Sequence, residues 1–238
     1  YFDSCASTNL EAAKKIQERN CLEGDMFVTG NQTAGRGQRD NVWESQAKSN
    51  LTFSIVLRPN FLLISEQFQL NMAISLAIVE SLKNELKEEL KVKWSNDIYY
   101  KDKKMGGILI ENNIQSRKIE YSIIGIGLNI NQINFQNPKA ISLRMLTGKT
   151  YDLDKKIAQI VEKIERNYIF LKQGKKDLIK TNYLAQLYRY QEVHKFKNLK
   201  TQTEFEGQII GIDKIGRLAM EIDKKVEYFN FKEIQFQN

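Results

Sequence analysis

The sequence predicts an α+β fold with a small β-barrel at its C-terminal end. Residues 51–57 form a mostly apolar run rich in β-branched and aromatic side chains, which is typical of a buried strand. Apolar residues recur at three- and four-residue steps across 66–91, which is typical of a helix. After residue 193 the pattern changes to short strands separated by turns. We therefore expect a large domain over residues 1–190 and a small barrel over residues 191–238.

The other elements follow from local patterns. Thr8 and Glu11 have the spacing of a capping box, so we expect a helix to begin near residue 8. Two further amphipathic helices are expected at 153–171 and 177–188. Short strands are expected at 26–29, 92–94, 98–100, 107–111 and 118–126, and a turn at 213–216.

Composition limits the classes of function. The chain has 238 residues, of which 42% are hydrophobic and 27% charged, as is ordinary for a soluble globular protein. It shows no signal-peptide pattern, no membrane-length apolar run and only two cysteines, which together predict a cytoplasmic protein without a membrane partner. The one histidine, His194, argues against a zinc cluster and against histidine-dependent catalysis. The net charge of +7 comes from dispersed lysines and so does not indicate a nucleic-acid-binding surface.

A polar, aperiodic loop over residues 30–50 carries the first candidate site, because loops this long are often functional. It contains the run QTAGRGQR, in which Gly35 and Gly37 flank Arg36. Glycine lets backbone N–H groups approach an anion, and the arginine fork suits a carboxylate or phosphate. The run lacks the pattern of a P-loop. Taken alone, it is more typical of a flexible basic loop.

Further candidate sites lie beside the predicted strands. Lys93 and Asp97 bracket a bend in KWSNDI, and Lys104 precedes the glycines of KKMGGILIE. Such a lysine can reach across a cleft while the glycines admit a ligand, although ordinary turns have the same composition. The alternating glycines of IGIGLNIN, residues 124–131, indicate close contact with a ligand or another backbone. Residues 7–9 are polar, but helix capping also explains them.

Together these segments resemble the biotin–protein ligases, also called biotin–acetyl-CoA-carboxylase ligases. Four motifs occur in the family's order: DSxxSTN from residue 3, QTAGRG from residue 32, KWxND from residue 93 with KxGGILIE from residue 104, and GIGLNIN from residue 125. The tail motif GxIxGIDxxG, from residue 207, resembles the family's C-terminal domain. The resemblance covers essentially the whole chain. It implies a mixed β-sheet packed with helices, related to class II aminoacyl-tRNA synthetases, and a Src-homology-3-like barrel.

The resemblance also assigns roles by position. Lys104 and Arg36 match the catalytic cations at the junction of the biotin carboxylate and the α-phosphate. Asp97 matches a residue beside the magnesium ion that arrives with ATP. The biotin-binding positions are Ser7, Thr8, Asn9, Gln32, Arg36, Gly37, Gln38, Lys104, Gly107, Gly125 and Gly127. The nucleotide-binding positions are Arg39, Trp43, Asn96, Lys104 and Asn129.

The implied enzyme activates biotin with ATP and Mg²⁺ as biotinyl-adenylate. It then transfers biotin to a lysine of the biotin carboxyl carrier protein of acetyl-CoA carboxylase or a related biotin-dependent carboxylase. The sequence starts at the first motif, so we expect the form without an N-terminal DNA-binding domain and no DNA partner. A monomer or a homodimer is expected.

Several residues depart from the family's pattern, and Cys5 and Ala6 are unusual in the first motif. Gln38 stands where many relatives have a second arginine, and Ser95 replaces a common proline. Asp40 stands where glycine is usual, so we expect loop closure to be altered.

Two other functions fit parts of the sequence. A lipoate–protein ligase shares the fold, but we would expect an RRxxGGG signature that residues 32–37 do not show. A nucleic-acid-binding module would need a basic stripe with stacking aromatics on one surface, which dispersed lysines disfavour.

Overall fold

A computed structural model describes residues 1–38 and 41–237, so the predictions for Arg39 and Asp40 lie outside the described residues. The helices are α1 (Thr8–Gln17), α2 (Gln67–Ser81), α3 (Lys83–Leu86), α4 (Leu143–Thr147), α5 (Leu153–Lys172) and α6 (Lys176–Ala185). The strands are β1 (Met26–Val28), β2 (Leu51–Leu57), β3 (Leu90–Lys93), β4 (Asp97–Tyr100), β5 (Lys103–Gln115), β6 (Lys118–Leu128), β7 (Val193–Asn198), β8 (Glu204–Ile212), β9 (Leu218–Ile222), β10 (Lys225–Phe229) and β11 (Ile234–Phe236).

Strands β1 to β6 form the main sheet, in the order β1-β2-β6-β5-β4-β3. Every residue of β2 is buried, because the strand lies inside the sheet with the core on both faces. All ladders between these strands are antiparallel. Parallel pairing occurs as isolated bridges, such as Phe2 with Thr29 and Cys5 with Gln32, and the sheet is mixed only in that sense. The predicted α+β class is confirmed.

Helix α2 packs against α5 and α6 and is buried on nearly all sides. The predicted continuous helix over 66–91 is wrong beyond Ser81. The chain there breaks into α3, a 3₁₀ turn and β3. Leu82, Leu86 and Leu90 are all buried. They are four residues apart, so this segment has the apolar spacing of a helix although it is not one continuous helix.

Strands β7 to β11 form a second antiparallel sheet, in the order β10-β9-β8-β7-β11, here called the C-terminal sheet. The predicted turn at 213–216 is present, and Gly216 adopts φ +95° in it. This turn docks on the rest of the molecule: Trp94 Nε1 donates to the carbonyl of Gly216 at 3.0 Å, and Phe68 of α2 packs against the same glycine. The C-terminal sheet therefore borders the segment between β3 and β4. The domain boundary at 190/191 stays a prediction.

In the described part of the chain, no helix combines the length and the apolar character needed to cross a membrane.

Candidate active site

A cavity opens on the main sheet where the start of α1, the 30–43 loop, β5 and β6 meet. It holds about 800 Å³, counting the space at its mouth. The structure brings every residue predicted for the biotin side into its wall: Ser7, Thr8, Asn9, Gln32, Arg36, Gly37, Gln38, Lys104, Gly107, Gly125 and Gly127. Four motifs that are far apart in the chain therefore share one cavity.

Two glycines of β6 form the floor. A Cβ atom on Gly125 would lie 2.5 Å from Asn9 Oδ1, and one on Gly127 would lie 2.4 Å from Trp43 Cε2. No real Cβ tolerates such contacts, so these positions admit only glycine if Asn9 and Trp43 keep their places. The alternating glycines thus reflect the close approach of other protein groups.

Hydrogen bonds organise the polar end of the cavity. The backbone N–H of Thr8 donates to Gln32 Oε1 at 3.0 Å. Ser54 Oγ, which is fully buried in β2, donates to Asn9 Oδ1 at 2.6 Å and lies 2.7 Å from Thr8 Oγ1. Asn9 Nδ2 donates to Glu111 Oε2 at 2.5 Å. The amide orientation of Asn9 is thereby fixed at both ends.

The predicted capping box of Thr8 and Glu11 is not formed. Ser7 occupies the N-cap position, and no side chain caps the helix. The backbone N–H of Thr8, which has no partner within the helix, donates to the side chain of Gln32 instead. The polar residues at 7–9 consequently serve the cavity wall rather than local capping.

The two predicted cations enter the wall from different segments, and each is held by a carboxylate. Arg36 Nη2 lies 3.2 Å from Glu111 Oε2, and Lys104 Nζ lies 2.7 Å from Asp97 Oδ1. Lys104 was expected just before a strand but lies within β5, because the preceding hairpin turn falls at residues 101–102. The strand gives Lys104 a rigid base beside Asp97.

Trp43 closes one side of the cavity over Gly127. Its Nε1 and the Oε1 of Gln38 are buried without a hydrogen-bond partner among the described residues. Buried polar atoms are normally paired, so these two suit a ligand that offers one acceptor and one donor.

The predicted nucleotide-side asparagines differ in placement. Asn96 lines the cavity, but its Nδ2 donates to the carbonyl of Ile108 and its Oδ1 accepts from Ser95 Oγ at 3.1 Å. Asn129 is outside the cavity wall, and its Nδ2 donates to the carbonyl of Ile141 at 3.2 Å. Both side chains hold the frame of the site in this arrangement, and their contact with a nucleotide stays a prediction.

Several wall and support residues were missed by sequence reasoning. Additional wall residues are Asn41, Val42, Thr52, Trp94, Ile108, Leu109, Ile126 and Phe231. Ser54 and Glu111 support the wall from behind. A serine within an otherwise buried strand was a usable signal for Ser54, because a buried hydroxyl needs a partner. Nothing local marks Phe231, which lies in the turn between β10 and β11.

Residues 1–129 match the model of the Biotin/lipoate A/B protein ligase family. The chain is 29% identical over 237 residues to the bifunctional ligase/repressor BirA of Bacillus subtilis, covering 95% of this chain and 70% of the relative. It is 23% identical to the biotin–[acetyl-CoA-carboxylase] ligase of Mycobacterium tuberculosis, covering 91% of this chain and 80% of that one. The biotin protein ligase of Aquifex aeolicus in complex with biotin and ATP superposes with a TM-score of 0.80 at 24% identity, covering 100% of this chain and 97% of that one.

The fold is thus that of the biotin protein ligases. The chain belongs to the biotin/lipoate A/B protein ligase family, and the resemblance stated from the motifs is confirmed.

Proposed function

We propose that this chain is an ATP-dependent biotin–protein ligase. It joins biotin to AMP, releasing pyrophosphate, and then transfers biotin to a lysine of a biotin carboxyl carrier protein, releasing AMP. The observation that carries the proposal is that Arg36 and Lys104 line the same cavity as Thr8, Asn9 and Gln32. Two cations beside a neutral polar pocket suit a substrate with a urea ring at one end and a carboxylate at the other.

The polar end fits the biotin ring system. A cyclic urea offers two N–H donors and one carbonyl acceptor, and the wall around Ser7, Thr8 and Gln32 supplies hydroxyl and amide groups of both kinds. Ser54 and Glu111 fix Asn9, so the wall needs little reorganisation on binding. A preorganised site loses less entropy when the ligand enters.

The charged end fits the chemistry of adenylation. A carboxylate oxygen of biotin attacks the α-phosphorus, the new P–O bond forms, and the bond to the β-phosphate oxygen breaks. Two anions must approach each other, so fixed cations at the reacting junction lower the barrier. Arg36 and Lys104 are the groups we assign to this role. His194 takes no part, because it lies in β7 beside Glu192 and outside the cavity wall.

Magnesium would enter as part of the ATP substrate. Among the described residues no group of three or more acidic, histidine or cysteine side chains could hold a resident ion. Asp97 is the carboxylate in the described wall, and it already contacts Lys104. The phosphate oxygens of ATP would therefore supply most of the magnesium ligands, and Asp97 is the candidate ligand from the protein.

The 30–43 loop protects the product. Gly37 N donates to the carbonyl of Asn41 at 2.7 Å, and Trp43 N donates to that of Gly35 at 3.0 Å, so the two arms of the loop pair above the cavity. The mixed anhydride hydrolyses readily in water. A loop that excludes water keeps it intact until the carrier lysine attacks the acyl carbon.

Calorimetry with biotin and with lipoate tests the substrate, followed by mass measurement of a biotin carboxyl carrier domain incubated with enzyme, biotin and ATP. We expect biotin to bind, lipoate not to compete, and one lysine of the carrier to gain the biotinyl mass. A carrier domain with that lysine replaced by arginine is the control. Tighter binding of lipoate, or an unmodified carrier, would refute the proposal.

A further inference from the structure

A second cavity lies between the β3–β4 hairpin and the C-terminal sheet. It holds about 910 Å³, counting the space at its mouth. Trp94 and Phe231 line both this cavity and the one described above, so the two are neighbours.

The walls of the second cavity carry an excess of positive charge. Lys93, Lys139, Arg189 and Lys232 line it, against the one carboxylate of Asp102 in the described wall. Asp102 accepts from the hydroxyl of Tyr188 and lies 3.5 Å from Arg189 Nη2. Within the described residues, the three lysines form no ion pair. This imbalance is a property of an anion-binding site.

Lys93 is partly buried among aromatic rings. Its ammonium lies 4.5 Å from the ring centroid of Tyr99 and 4.7 Å from that of Phe236. Burial lowers the pKa of Lys93 to about 8, an effect that Asp97 opposes and the neighbouring Arg189 reinforces. A half-buried ammonium without an ion pair is costly, and a bound anion would offset that cost.

The aromatic rings do not offer an open stacking surface. Lys93 lies over Tyr99 and Phe236, and Arg189 lies 5.0 Å from the ring centroid of Tyr188. Because cations already cover these ring faces, the cavity favours a small anion over a planar base.

The strand register connects the two cavities. Lys93 and Asp97 are directly opposed in the β3–β4 ladder, so their side chains share one face of the sheet. Asp97 contacts Lys104, and Lys104 N donates to the carbonyl of Lys139 at 2.7 Å. In addition to burial, Lys139 and Lys104 both lower the pKa of Lys93, so the ammonium of Lys93 lies within electrostatic range of cations that line each cavity.

We propose that the second cavity binds the pyrophosphate leaving group of ATP, with Lys93, Lys139 and Arg189 as its anion-binding side chains. The inference rests on the proposed function, in which the α-phosphate lies at Lys104. When the bond from the α-phosphorus to the bridging oxygen breaks, the electron pair departs with pyrophosphate. Cations placed along that direction stabilise the charge that develops there.

Pyrophosphate itself is the probe. We would titrate it into the nucleotide-free protein and into the variants Lys93→Met and Lys139→Met, and measure its inhibition of the forward reaction. Each substitution should weaken pyrophosphate binding by about tenfold and raise the KM for ATP, since each removes a charge-assisted contact. Lys139 is exposed, so its variant keeps the fold even where Lys93→Met does not.

Lys103→Met is the matched control, because Lys103 is exposed, adjoins Lys104 in β5 and lies outside both cavity walls. It should bind pyrophosphate as the wild type does, and biotin affinity should be unchanged in all variants. Unaltered pyrophosphate binding by Lys139→Met, or equal loss for inorganic phosphate and sulfate, would overturn the assignment. A wild type that fails to bind biotin would instead refute the proposed function, because the pyrophosphate titration does not depend on activity.

Discussion

Two cationic side chains, Arg36 and Lys104, determine how the first cavity stabilises an anion. Arg36 and Lys104 are each held by one carboxylate, and the exposed fractions of the four side chains lie between 28% and 43%. Ion pairs this exposed add little to folding stability. Their effect lies in position, because a cation that is already in place stabilises developing charge without reorganisation.

Replacing Lys104 by alanine should lower the rate of adenylation by on the order of a hundredfold or more, as for loss of one charge-stabilising donor. Biotin-dependent release of pyrophosphate from ATP measures this rate. Lys103→Ala removes an exposed neighbouring charge and should leave the rate unchanged. A near-normal rate in Lys104→Ala would rule out its assigned role.

Glu111 should act as a positioning residue, because its Oε2 accepts hydrogen bonds from both Asn9 and Arg36. Glu111→Ala frees both side chains, so we expect a raised KM for biotin and leakage of the adenylate, seen as labelling of unrelated lysines nearby. Glu111→Gln retains an acceptor oxygen, so its KM for biotin should stay close to that of the wild type. We expect Arg36→Gly to leak similarly. If Glu111→Ala retains its adenylate and keeps the wild-type KM for biotin, Glu111 does not position Asn9 and Arg36.

At the scale of elements, strand β6 and the 30–43 loop depend on each other. Because Gly127 has no side chain, the indole of Trp43 packs directly against strand β6. The strand therefore sets the distance between the loop and the sheet. Backbone hydrogen bonds hold the loop to residues 2–6 and pair its two arms, and the packing of Trp43 and the Arg36–Glu111 contact fix its position over the cavity.

Gly127→Ala should lift Trp43, because the added Cβ would lie 2.4 Å from the indole. We expect the KM for ATP to rise by roughly tenfold, from an overpacking cost of about 1–3 kcal/mol. Gly30→Ala is the control within the loop, since its Cβ would meet nothing closer than 3.4 Å. Equal kinetics in the two variants would show that Trp43 does not depend on the glycine.

At the scale of the whole molecule, the C-terminal sheet completes the site as well as the fold. Phe231 contributes to both cavities, and the 213–216 turn docks on Trp94 and Phe68. The buried apolar residues of the C-terminal sheet join the same core as those of the main sheet. We therefore expect both sheets to unfold together.

Gly216→Ala tests this coupling, because Gly216 has φ +95° and its Cβ would lie 2.5 Å from Phe68 Cγ. Gly148→Ala is the matched control, with φ +72° and open space around the added atom. The left-handed backbone alone should cost about 1–2 kcal/mol in both variants, and the clash should add about 1–3 kcal/mol in Gly216→Ala. Urea unfolding measures both, and equal stability would show that the turn is not tightly docked.

The residue types that line the cavity could be predicted from the sequence. The residues behind the wall that hold those side chains in place could not. The motifs around Arg36 and Lys104 combine cations with glycines, which predicts close approach of an anion, and the structure places Arg36, Lys104, Gly37 and Gly107 in one wall. The helix predicted over 66–91 is too long, because the buried leucines at 82, 86 and 90 keep a helical spacing although they lie in a turn, a short helix and a strand. Asn129 shows the converse limit, since its motif did not reveal that its side chain bonds Ile141 outside the wall.

The sequence by itself determined the α+β class, the main strands and the residues that could carry anion chemistry, because periodicity and residue chemistry are local properties. Only the tertiary structure decided that Ser54 and Glu111 hold Asn9, that Phe231 reaches the cavity, and that four cations gather in a second cavity. Those facts depend on which strands lie side by side and where the C-terminal sheet docks. Packing over the whole chain settles both, and no short segment encodes either.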